Sequence, residues 1–477
     1  MKKVITGLLL MLVISLGLSG QASADQASLE ASSKISFHDE KLEQAIRQIL
    51  DKNEDEAITK QEMESLTDLN LAFKGIKSVQ GLQYATNLTN LNLYLNEIAD
   101  IEPLAALKQI RYLDLSYNQI DSIGVLSSLK NLESLTVNGN NLTSIDVVKH
   151  FPRLNELGAG ANHITDIQVL TTLKDLTWLK LNDNPIANFE PISKLTKIIN
   201  LDLENNKISD LKLLKPLSKS LMNLHIGGNQ ITDLNALEGL SLLRSLYAEN
   251  NQIKVITPLR KLTNLEVLNL NNNLVYDLEP LRSLKKISNL YLANNRIWNI
   301  EPISNHRFDT HFDTGAIRYG LDLTGNYLDL RNTTKSYMLL NKLAGDGHPL
   351  NQLKAQRLVI GSTTAYVGES AFKLSTAPFI VSQRTYVPVR FVSERLGANV
   401  AWNQSKKEVT IVKDGKTIRW VVDKKTANVN GKTVAFDTPL LLKKGTTFVP
   451  VRFVSELLES SVEYIPSSKS VLIFEKK

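Results

Sequence analysis

The stretch Leu88-Thr-Asn-Leu91-Asn-Leu93-Tyr-Leu-Asn96-Glu-Ile98-Ala-Asp-Ile101 decides the fold, because its pattern recurs along more than half of the chain. The pattern is Leu-x-x-Leu-x-Leu-x-x-Asn-x-Ile-x-x-Ile, and it repeats every 22 residues apart from one step of 23. A fixed period of this length is typical of a solenoid, in which each unit buries its apolar side against its neighbours. The repeats are marked by ladder asparagines: Asn96, Asn118, Asn140, Asn162, Asn184, Asn206, Asn229, Asn251, Asn273 and Asn295.

Weaker copies of the pattern extend the repeat region in both directions. A degenerate first repeat surrounds Lys74, and a last repeat surrounds Asn326 after an insertion. Residues 337–343 then predict a closing helix. We therefore expect a repeat domain over residues 66–343, preceded by a flexible start and a helical N-terminal cap within residues 25–65.

Residues 1–24 are typical of a signal peptide. Lys2 and Lys3 precede an apolar run over residues 4–18, and Ala22-Ser-Ala24 fits a signal-peptidase site. We expect the mature protein to begin at Asp25 and to be secreted or held at the cell surface. No other apolar stretch is long enough to span a bilayer, and the absence of cysteine excludes disulfides and thiolate metal sites.

Two short helices are predicted for the N-terminal cap. Asp39 can begin a helix with an apolar stripe, and Thr59 with Glu62 has the spacing of a capping box. These helices would cover the open edge of the first repeat. The stripe that the first helix is expected to bury contains Leu42, Ala45, Ile46, Ile49 and Leu50.

The segment between these helices resembles a calcium-binding loop. Its oxygen-bearing side chains fall at positions 1, 3, 5, 9 and 12 of an EF-hand loop, which would suit a hard cation. The glycine expected at the sixth position is replaced by Glu56. An acidic turn that uses the same side chains as helix caps therefore remains the alternative, and no other cofactor is expected. The candidate ligands are Asp51, Asn53, Asp55, Thr59 and Glu62.

Within each repeat, the segment x-Leu-x-Leu-x predicts a short strand with its leucines pointing inward. Asparagine follows where the chain turns off the strand, and its amide can pair with turn backbone groups that would otherwise be buried without partners. The ladder asparagines are therefore expected to be structural. With 22 residues per turn, the return segment has room only for extended chain and short 3₁₀ pieces. Five return segments open on proline: Pro103, Pro191, Pro258, Pro280 and Pro302.

The leucine, isoleucine and asparagine positions at a 22-residue period, together with the helical cap, resemble the internalin type of bacterial leucine-rich repeat. The resemblance implies an α/β solenoid with short strands on a concave face and an α-helical N-terminal cap. It also implies that the concave face binds proteins, with partners that differ widely within the family.

The predicted concave surface consists of the outward side chains between the inward leucines, and we call it the strand face. It contains large aromatic and acidic residues, which is the composition of recognition surfaces. Tyrosine is also common in strands without any binding role. The candidate binding residues are Tyr94, Tyr112, Asp114, Glu156, Trp178, Asp202, Glu204, Tyr247, Glu249 and Tyr291.

A second internal repeat begins after a predicted linker at residues 344–352. Residues 384–394, Arg-Thr-Tyr-Val-Pro-Val-Arg-Phe-Val-Ser-Glu, recur 62 positions later with Val-Pro-Val-Arg-Phe-Val-Ser-Glu intact. This predicts an α+β tandem-repeat domain over residues 353–477, with halves at about 353–415 and 416–477. The motif resembles the stalk-like N-terminal domain of copper amine oxidases, a module of secreted Gram-positive proteins. No histidine, methionine or cysteine follows His348, so copper ligands are missing and the resemblance implies a module without oxidase activity.

Charge divides the chain unevenly. Residues 352–477 contain 20 Lys+Arg against 10 Asp+Glu, whereas residues 25–351 carry a net charge of −6. A basic terminal domain is expected to attract a polyanion, and in an exported protein this favours a cell-wall polymer or the membrane surface over nucleic acid. Surface lysines that only provide solubility are the alternative.

These observations predict an exported, non-enzymatic protein that binds a protein partner through its strand face. The basic terminal domain would hold it at the cell wall without a covalent link. The alternative function is a structural spacer in a cell-surface or S-layer-like assembly. An enzyme is not expected, because no nucleophile–base pair, nucleotide loop or paired carboxylates stand out.

Overall fold

A computed structural model describes residues 34–50, 52–53, 56–313, 316–344, 352, 355–465 and 468–475. The predicted signal peptide and residues 345–351 of the predicted linker lie outside this part of the chain. The described residues divide into two compact units. Unit 1 holds those up to Gln252 together with Lys261–Leu268, and unit 2 holds Ile253–Arg260 together with those from Asn269 onward.

The N-terminal cap contains helices α1, Glu40–Ile49, and α2, Lys60–Glu64. Asp39 begins α1 by accepting a hydrogen bond from the Leu42 amide at 3.0 Å. Leu42 and its neighbours on the stripe are buried as expected, but Ile49 is 45% exposed. The prediction is wrong for Ile49, the last residue of the helix, because at the free end of α1 its side chain is not covered by a neighbouring element; Leu50, at the C-cap, is half-buried.

The described repeats place twelve short strands in one sheet, and the order of the strands in the sheet is their order in the chain. The described pairings between neighbours are parallel, with leucine opposite leucine at the centre of each strand. This confirms the predicted leucine-rich-repeat solenoid. The strands are β1 Asp68–Asn70, β2 Asn90–Asn92, β3 Tyr112–Asp114, β4 Ser134–Thr136, β5 Glu156–Gly158, β6 Trp178–Lys180, β7 Asn200–Asp202, β8 Asn223–His225, β9 Ser245–Tyr247, β10 Val267–Asn269, β11 Asn289–Tyr291 and β14 Leu321–Asp322.

The asparagine ladder connects each turn to the preceding one. Asn184 is 5% exposed, and its Oδ1 accepts a hydrogen bond from the Ile164 amide at 3.0 Å. Its Nδ2 donates to the carbonyl oxygens of Ala159 at 3.0 Å and Leu181 at 3.2 Å. Short 3₁₀ segments follow on the return side, and prolines occupy their first turns, for example Pro103 in Glu102–Ala106. The predicted structural role of the asparagines and prolines is confirmed.

Unit 2 contains the last repeats and the C-terminal domain. A hairpin, β12 Thr310–Asp313 with β13 Ala316–Tyr319, fills the insertion, and helix α3, Lys335–Ala344, corresponds to the predicted closing helix. The backbone amides of Lys335 and Ser336 donate to the Glu369 carboxylate at 2.8 Å and 2.7 Å, so a residue of the C-terminal domain caps α3.

Ionic and aromatic contacts also join the last repeats to the C-terminal domain within unit 2. Glu463 forms ion pairs with Lys254 at 2.8 Å and with Arg296. The Arg357 guanidinium lies over the rings of Trp298 and Tyr366, 4.7 Å and 3.9 Å from their centroids. These contacts make the last repeats and the C-terminal domain one packed body.

The C-terminal domain consists of two copies of one pattern, in which elements recur 62 residues apart. Each copy places its Val-Arg-Phe-Val-Ser-Glu motif on a helix, α4 Val389–Arg395 or α5 Val451–Leu457. Both residues of the predicted Asn430–Gly431 turn have positive φ, as a two-residue hairpin turn requires. The strands are β15 Ala355–Val359, β16 Thr364–Val367, β17 Ser370–Lys373, β18 Phe379–Val381, β19 Arg384–Pro388, β20 Asn399–Asn403, β21 Glu408–Lys413, β22 Lys416–Val421, β23 Thr426–Val429, β24 Lys432–Ala435, β25 Leu441–Lys443, β26 Thr446–Pro450, β27 Ser460–Ile465 and β28 Ser470–Glu475.

The two copies exchange strands. One antiparallel sheet has the order β17-β16-β15-β28-β27, so three strands from the first copy pair with two from the second. A second sheet has the order β20-β21-β22-β23-β24, with two strands from the first copy and three from the second. A third sheet, β18-β19-β26-β25, takes two strands from each copy, and β19 pairs with β26 in its middle. Trp420 and Phe453 are fully buried in the shared core, with ring centroids 5.0 Å apart.

Candidate functional site

The strand face is formed as the sequence predicts. In the strands of unit 1 the central leucine is buried and the flanking residues are more exposed in almost every case. Tyr112, Asp114, Glu156, Trp178, Asp202 and Tyr247 lie within these strands, whereas Tyr94, Glu204 and Glu249 lie two residues beyond a strand end. Tyr291 lies on β11 in unit 2, and its hydroxyl is 3.3 Å from Asn289 Oδ1.

Charged and aromatic side chains interact closely at the middle of the strand face in unit 1. His225 Nδ1 lies 3.3 Å from Glu204 Oε1, and the His225 ring stacks on Tyr247 with 4.3 Å between centroids. The hydrogen bond to His225 lowers the pKa of Glu204. On the neighbouring strands, Lys180 Nζ lies 3.0 Å from Asp202 Oδ2. We call Asp202, Glu204, His225, Tyr247 and Glu249 the central patch.

Glu249 differs from the other carboxylates of the central patch. Its Oε2 is buried and has no hydrogen-bond partner among the described residues, and burial raises its pKa. Its side chain lies over Gly227, where an added Cβ would come within 3.0 Å of the Glu249 carboxyl carbon. The missing side chain at Gly227 therefore creates the space that this carboxylate occupies.

A second, more aromatic area lies near the beginning of the strand face. Arg111 makes two hydrogen bonds of 2.9 Å to Glu133, and the Tyr112 hydroxyl donates to the same carboxylate at 3.1 Å. The bond to Arg111 lowers the pKa of Glu133. These contacts fix the ring of Tyr112, which is 44% exposed, beside a depression of about 570 Å³ that Asp114 also lines.

Sequence reasoning missed three residues in this area: Phe73, Leu95 and Tyr117. Each directly precedes its repeat's ladder position and has a φ between 51° and 60°, a conformation that costs an ordinary side chain about 1–2 kcal/mol. They are 68%, 44% and 47% exposed, and Tyr94 packs against both aromatic rings at 5.2 Å and 5.3 Å. The signal was present in the sequence, because later repeats place small or polar residues at this position. These include Gly139, Asp183, Asn205, Gly228, Asn250, Asn272, Asn294 and Gly325.

The predicted calcium ligands lie only partly within the described residues. Asp51 and Asp55 lie outside them. Thr59 and Glu62 form the capping box of α2, and Glu62 also pairs with Lys52 at 2.6 Å. Asn53 donates a hydrogen bond to Glu56 at 3.0 Å. These contacts are those of the alternative acidic turn, and calcium binding stays a prediction.

No cluster of three or more candidate metal ligands occurs among the described side chains. Within the described ranges, no helix has the length and apolar character needed to cross a bilayer.

Comparison with known proteins agrees with the repeat geometry. Residues 86–150 and 241–305 match the leucine-rich repeat family. The structure is similar to an internalin from Listeria monocytogenes, with 29% identity, a TM-score of 0.56, and coverage of 64% of this chain and 88% of that one. A leucine-rich-repeat protein from Leptospira interrogans is 28% identical over 52% of this chain and 66% of its own, with a TM-score of 0.48. The chain carries internalin-like leucine-rich repeats.

The C-terminal domain matches a different family. Residues 354–411 and 366–473 match the copper amine oxidase N-terminal domain. A primary amine oxidase from Klebsiella aerogenes is 29% identical over 82 residues, which cover 17% of this chain and 11% of the oxidase. The chain therefore spans about a tenth of that enzyme's length. The residues of this domain also do not suit copper, because none of them is a histidine, methionine or cysteine.

Proposed function

We propose that this is an exported, non-catalytic protein that binds a protein partner through the strand face, and that its basic C-terminal domain associates with an anionic cell-wall polymer. The observation that carries the first part is Glu249, a half-buried residue whose Oε2 is buried without a hydrogen-bond partner among the described residues. Burying such a group is unfavourable unless something compensates it. A cationic side chain of a partner would supply that compensation.

The surroundings of Glu249 support this proposal. Glu204 adds a second carboxylate, and the stacked rings of His225 and Tyr247 add flat apolar surface. Aromatic side chains held in fixed positions beside charged groups are the usual energetic centres of protein interfaces. The parallel strands supply a rigid backbone, so a partner would bind without ordering a loop.

The experiment uses the strand-face aromatics. The triple variant Trp178→Ala, Tyr247→Ala, Tyr291→Ala, immobilised on beads, is compared with the wild type for capture of proteins from host and cell-surface extracts. Tyr84→Ala is the matched control, because Tyr84 lies on a return-side 3₁₀ segment. We expect the triple variant alone to lose specific partners. Unchanged capture by the triple variant would exclude the strand face as the binding surface.

A structural spacer is the second candidate function. The contacts of Glu463, Glu369 and Arg357 within unit 2 favour it, because they hold the last repeats firmly against the C-terminal domain. A spacer would tolerate the triple strand-face variant without loss of any assembly. Partner loss in the capture experiment would therefore decide against a purely structural role.

The polymer association is tested by substituting charged residues and not by deleting the C-terminal domain. Deletion would expose the surface of the last repeats that packs against this domain. Lys406, Lys407, Lys424 and Lys425 are exposed, and their side chains take no part in the contacts of Glu463, Glu369 and Arg357 described above. Their joint replacement by glutamine should release the protein from intact cells into the medium, as should raised salt, which screens exposed charges. Full retention under both conditions would exclude electrostatic wall association.

A further inference from the structure

A cleft of about 640 Å³ in the C-terminal domain is lined mostly by the first copy and completed by the β25–β26 hairpin of the second, and its lining is unusual. Three cationic side chains, Lys373, Arg390 and Arg395, share it with the indole of Trp402 and several hydroxyl groups. Glu394 is the one carboxylate among the lining residues, and it pairs with Arg390 at 3.7 Å. The cleft therefore has an excess of positive charge, and its volume is in the range of small-molecule sites.

Arg395 is held in place by aromatic rings. Its guanidinium lies 4.3 Å from the centroid of Phe372 and 4.6 Å from that of Phe391. The guanidinium of Arg395 and the ammonium group of Lys373 form no ion pair or hydrogen bond with any described residue. The contacts of the guanidinium are with aromatic rings, so its N–H groups are available to bind a ligand. Such a fork matches two oxygens of a phosphate or carboxylate.

The second copy of the domain shows that the fold does not need these charges. At the positions 62 residues later, Leu457 replaces Arg395 and Ala435 replaces Lys373. The helix and strand that carry them are the same in both copies. The fold is therefore compatible with uncharged side chains at both positions.

The hydroxyl groups give a second difference between the copies. At the cleft, Ser375 Oγ lies 2.8 Å from Thr446 Oγ1, and both side chains are neutral. The matching positions are Asp437 and Arg384, which form an ion pair of 2.8 Å. Each pair joins one residue of each copy. The charges of Asp437 and Arg384 satisfy each other, whereas the hydroxyls of Ser375 and Thr446 lie beside the cations of the cleft.

We propose that the Arg395 cleft binds a phosphate-bearing polyol or sugar segment of an anionic polymer. Arg395 and Lys373 would hold the phosphate, the Ser375 and Thr446 hydroxyls would pair with ligand hydroxyls, and the Trp402 ring would pack on the carbon skeleton. A single strand of nucleic acid fits less well, because its binding grooves supply successive rings on which bases stack. In this cleft the Phe372 and Phe391 rings already contact Arg395. Among the lining residues, this leaves the Trp402 ring for a base to stack on. The inference rests on the polymer association proposed above and is independent of the strand face.

The test is isothermal titration calorimetry of the full chain with a synthetic glycerol phosphate oligomer. We expect the wild type to bind. Arg395→Leu introduces the residue that the second copy has at the matching position, Leu457, and should weaken binding about tenfold or more. Arg452→Leu is the matched control, since it removes the same charge from the second copy, and it should change affinity less than twofold. An unchanged thermal midpoint for Arg395→Leu would show that the fold is intact.

Three outcomes would overturn the inference. Equal weakening by Arg395→Leu and Arg452→Leu would mean that general charge attracts the polymer, so the cleft would fail while the wider association stands. No binding of the oligomer by the wild type would also reject the cleft, and the cell-release experiment would then decide the wider association alone. Arg395-dependent binding of a thymidine oligonucleotide that is tighter than that of the glycerol phosphate oligomer would assign the cleft to nucleic acid.

Discussion

Replacing Asn184 by alanine tests whether the ladder stabilises the solenoid as its contacts indicate. The substitution removes the acceptor of the Ile164 amide, which is fully buried, and leaves that donor unsatisfied at a cost of about 1–3 kcal/mol. The carbonyls of Ala159 and Leu181 also lose a donor. Each keeps a neighbouring ladder amide, so this loss adds only about 1 kcal/mol. We expect a total destabilisation of about 3 kcal/mol.

Two assays measure this effect. Urea unfolding followed by tryptophan fluorescence reports the change in free energy of unfolding, and hydrogen exchange reports the Ile164 amide directly. Asn184→Asp should destabilise more than Asn184→Ala, because a buried carboxylate would face carbonyl oxygens. Asn188→Ala is the control, since this exposed residue only accepts a hydrogen bond from the Glu190 amide at 2.9 Å. A cost below about 1 kcal/mol, or an Ile164 amide that stays protected, would refute the assigned role.

Three further predictions follow from the other contacts. Because burial raises the pKa of Glu249 above its unfolded value, the stability linked to its proton is complete below the unfolded pKa and is lost as pH rises through the folded pKa. Glu249→Gln should therefore raise the urea midpoint at pH 7 but not at pH 4, and an equal gain at both would contradict the burial argument. Glu463→Gln should lower the stability of unit 2 by about 2 kcal/mol, because it breaks the pairs with Lys254 and Arg296; a change under about 0.5 kcal/mol in thermal unfolding would show that these pairs contribute little. If the N-terminal cap binds calcium, titration with calcium chloride should release or absorb heat, and Asp51→Asn should abolish this heat. No heat from the wild type would reject calcium binding and leave Glu62 with its capping role alone.

The period of the repeats was enough to predict which side chains point inward and which point outward. The leucines, the ladder asparagines and the positions of Tyr112 and Trp178 follow from alternation along a strand. A 22-residue period also limits the return side to short segments, which excluded full helices there. These features depend on spacing alone, and spacing is visible in a sequence.

Contacts between repeats were not visible in the same way. Alternation places Glu204 and His225 outward, but only the register of the strands shows that one lies 3.3 Å from the other. The conformation of Tyr117 depends on the turn geometry that every repeat shares. The exposure of Ile49 was missed because an apolar stripe does not show how far along a helix its neighbours extend.

The Arg395 cleft depends on contacts across the whole C-terminal domain. Its lining combines strand β17, helix α4 and the β25–β26 hairpin of the second copy. The 62-residue repeat aligns the two copies but does not reveal that the Phe372 and Phe391 rings both contact Arg395. Comparing the copies after the structure is known identifies the positions at which only the first copy is charged.

Photo-crosslinking tests the central claim, that the strand face binds a protein partner, most directly. Benzoylphenylalanine is placed at Trp178, on strand β6, or at Tyr84, on the return side, and each chain is irradiated in the extract used for capture. The account predicts a covalent partner adduct from position 178 and none from position 84. Adducts from position 84 with none from position 178 would contradict it.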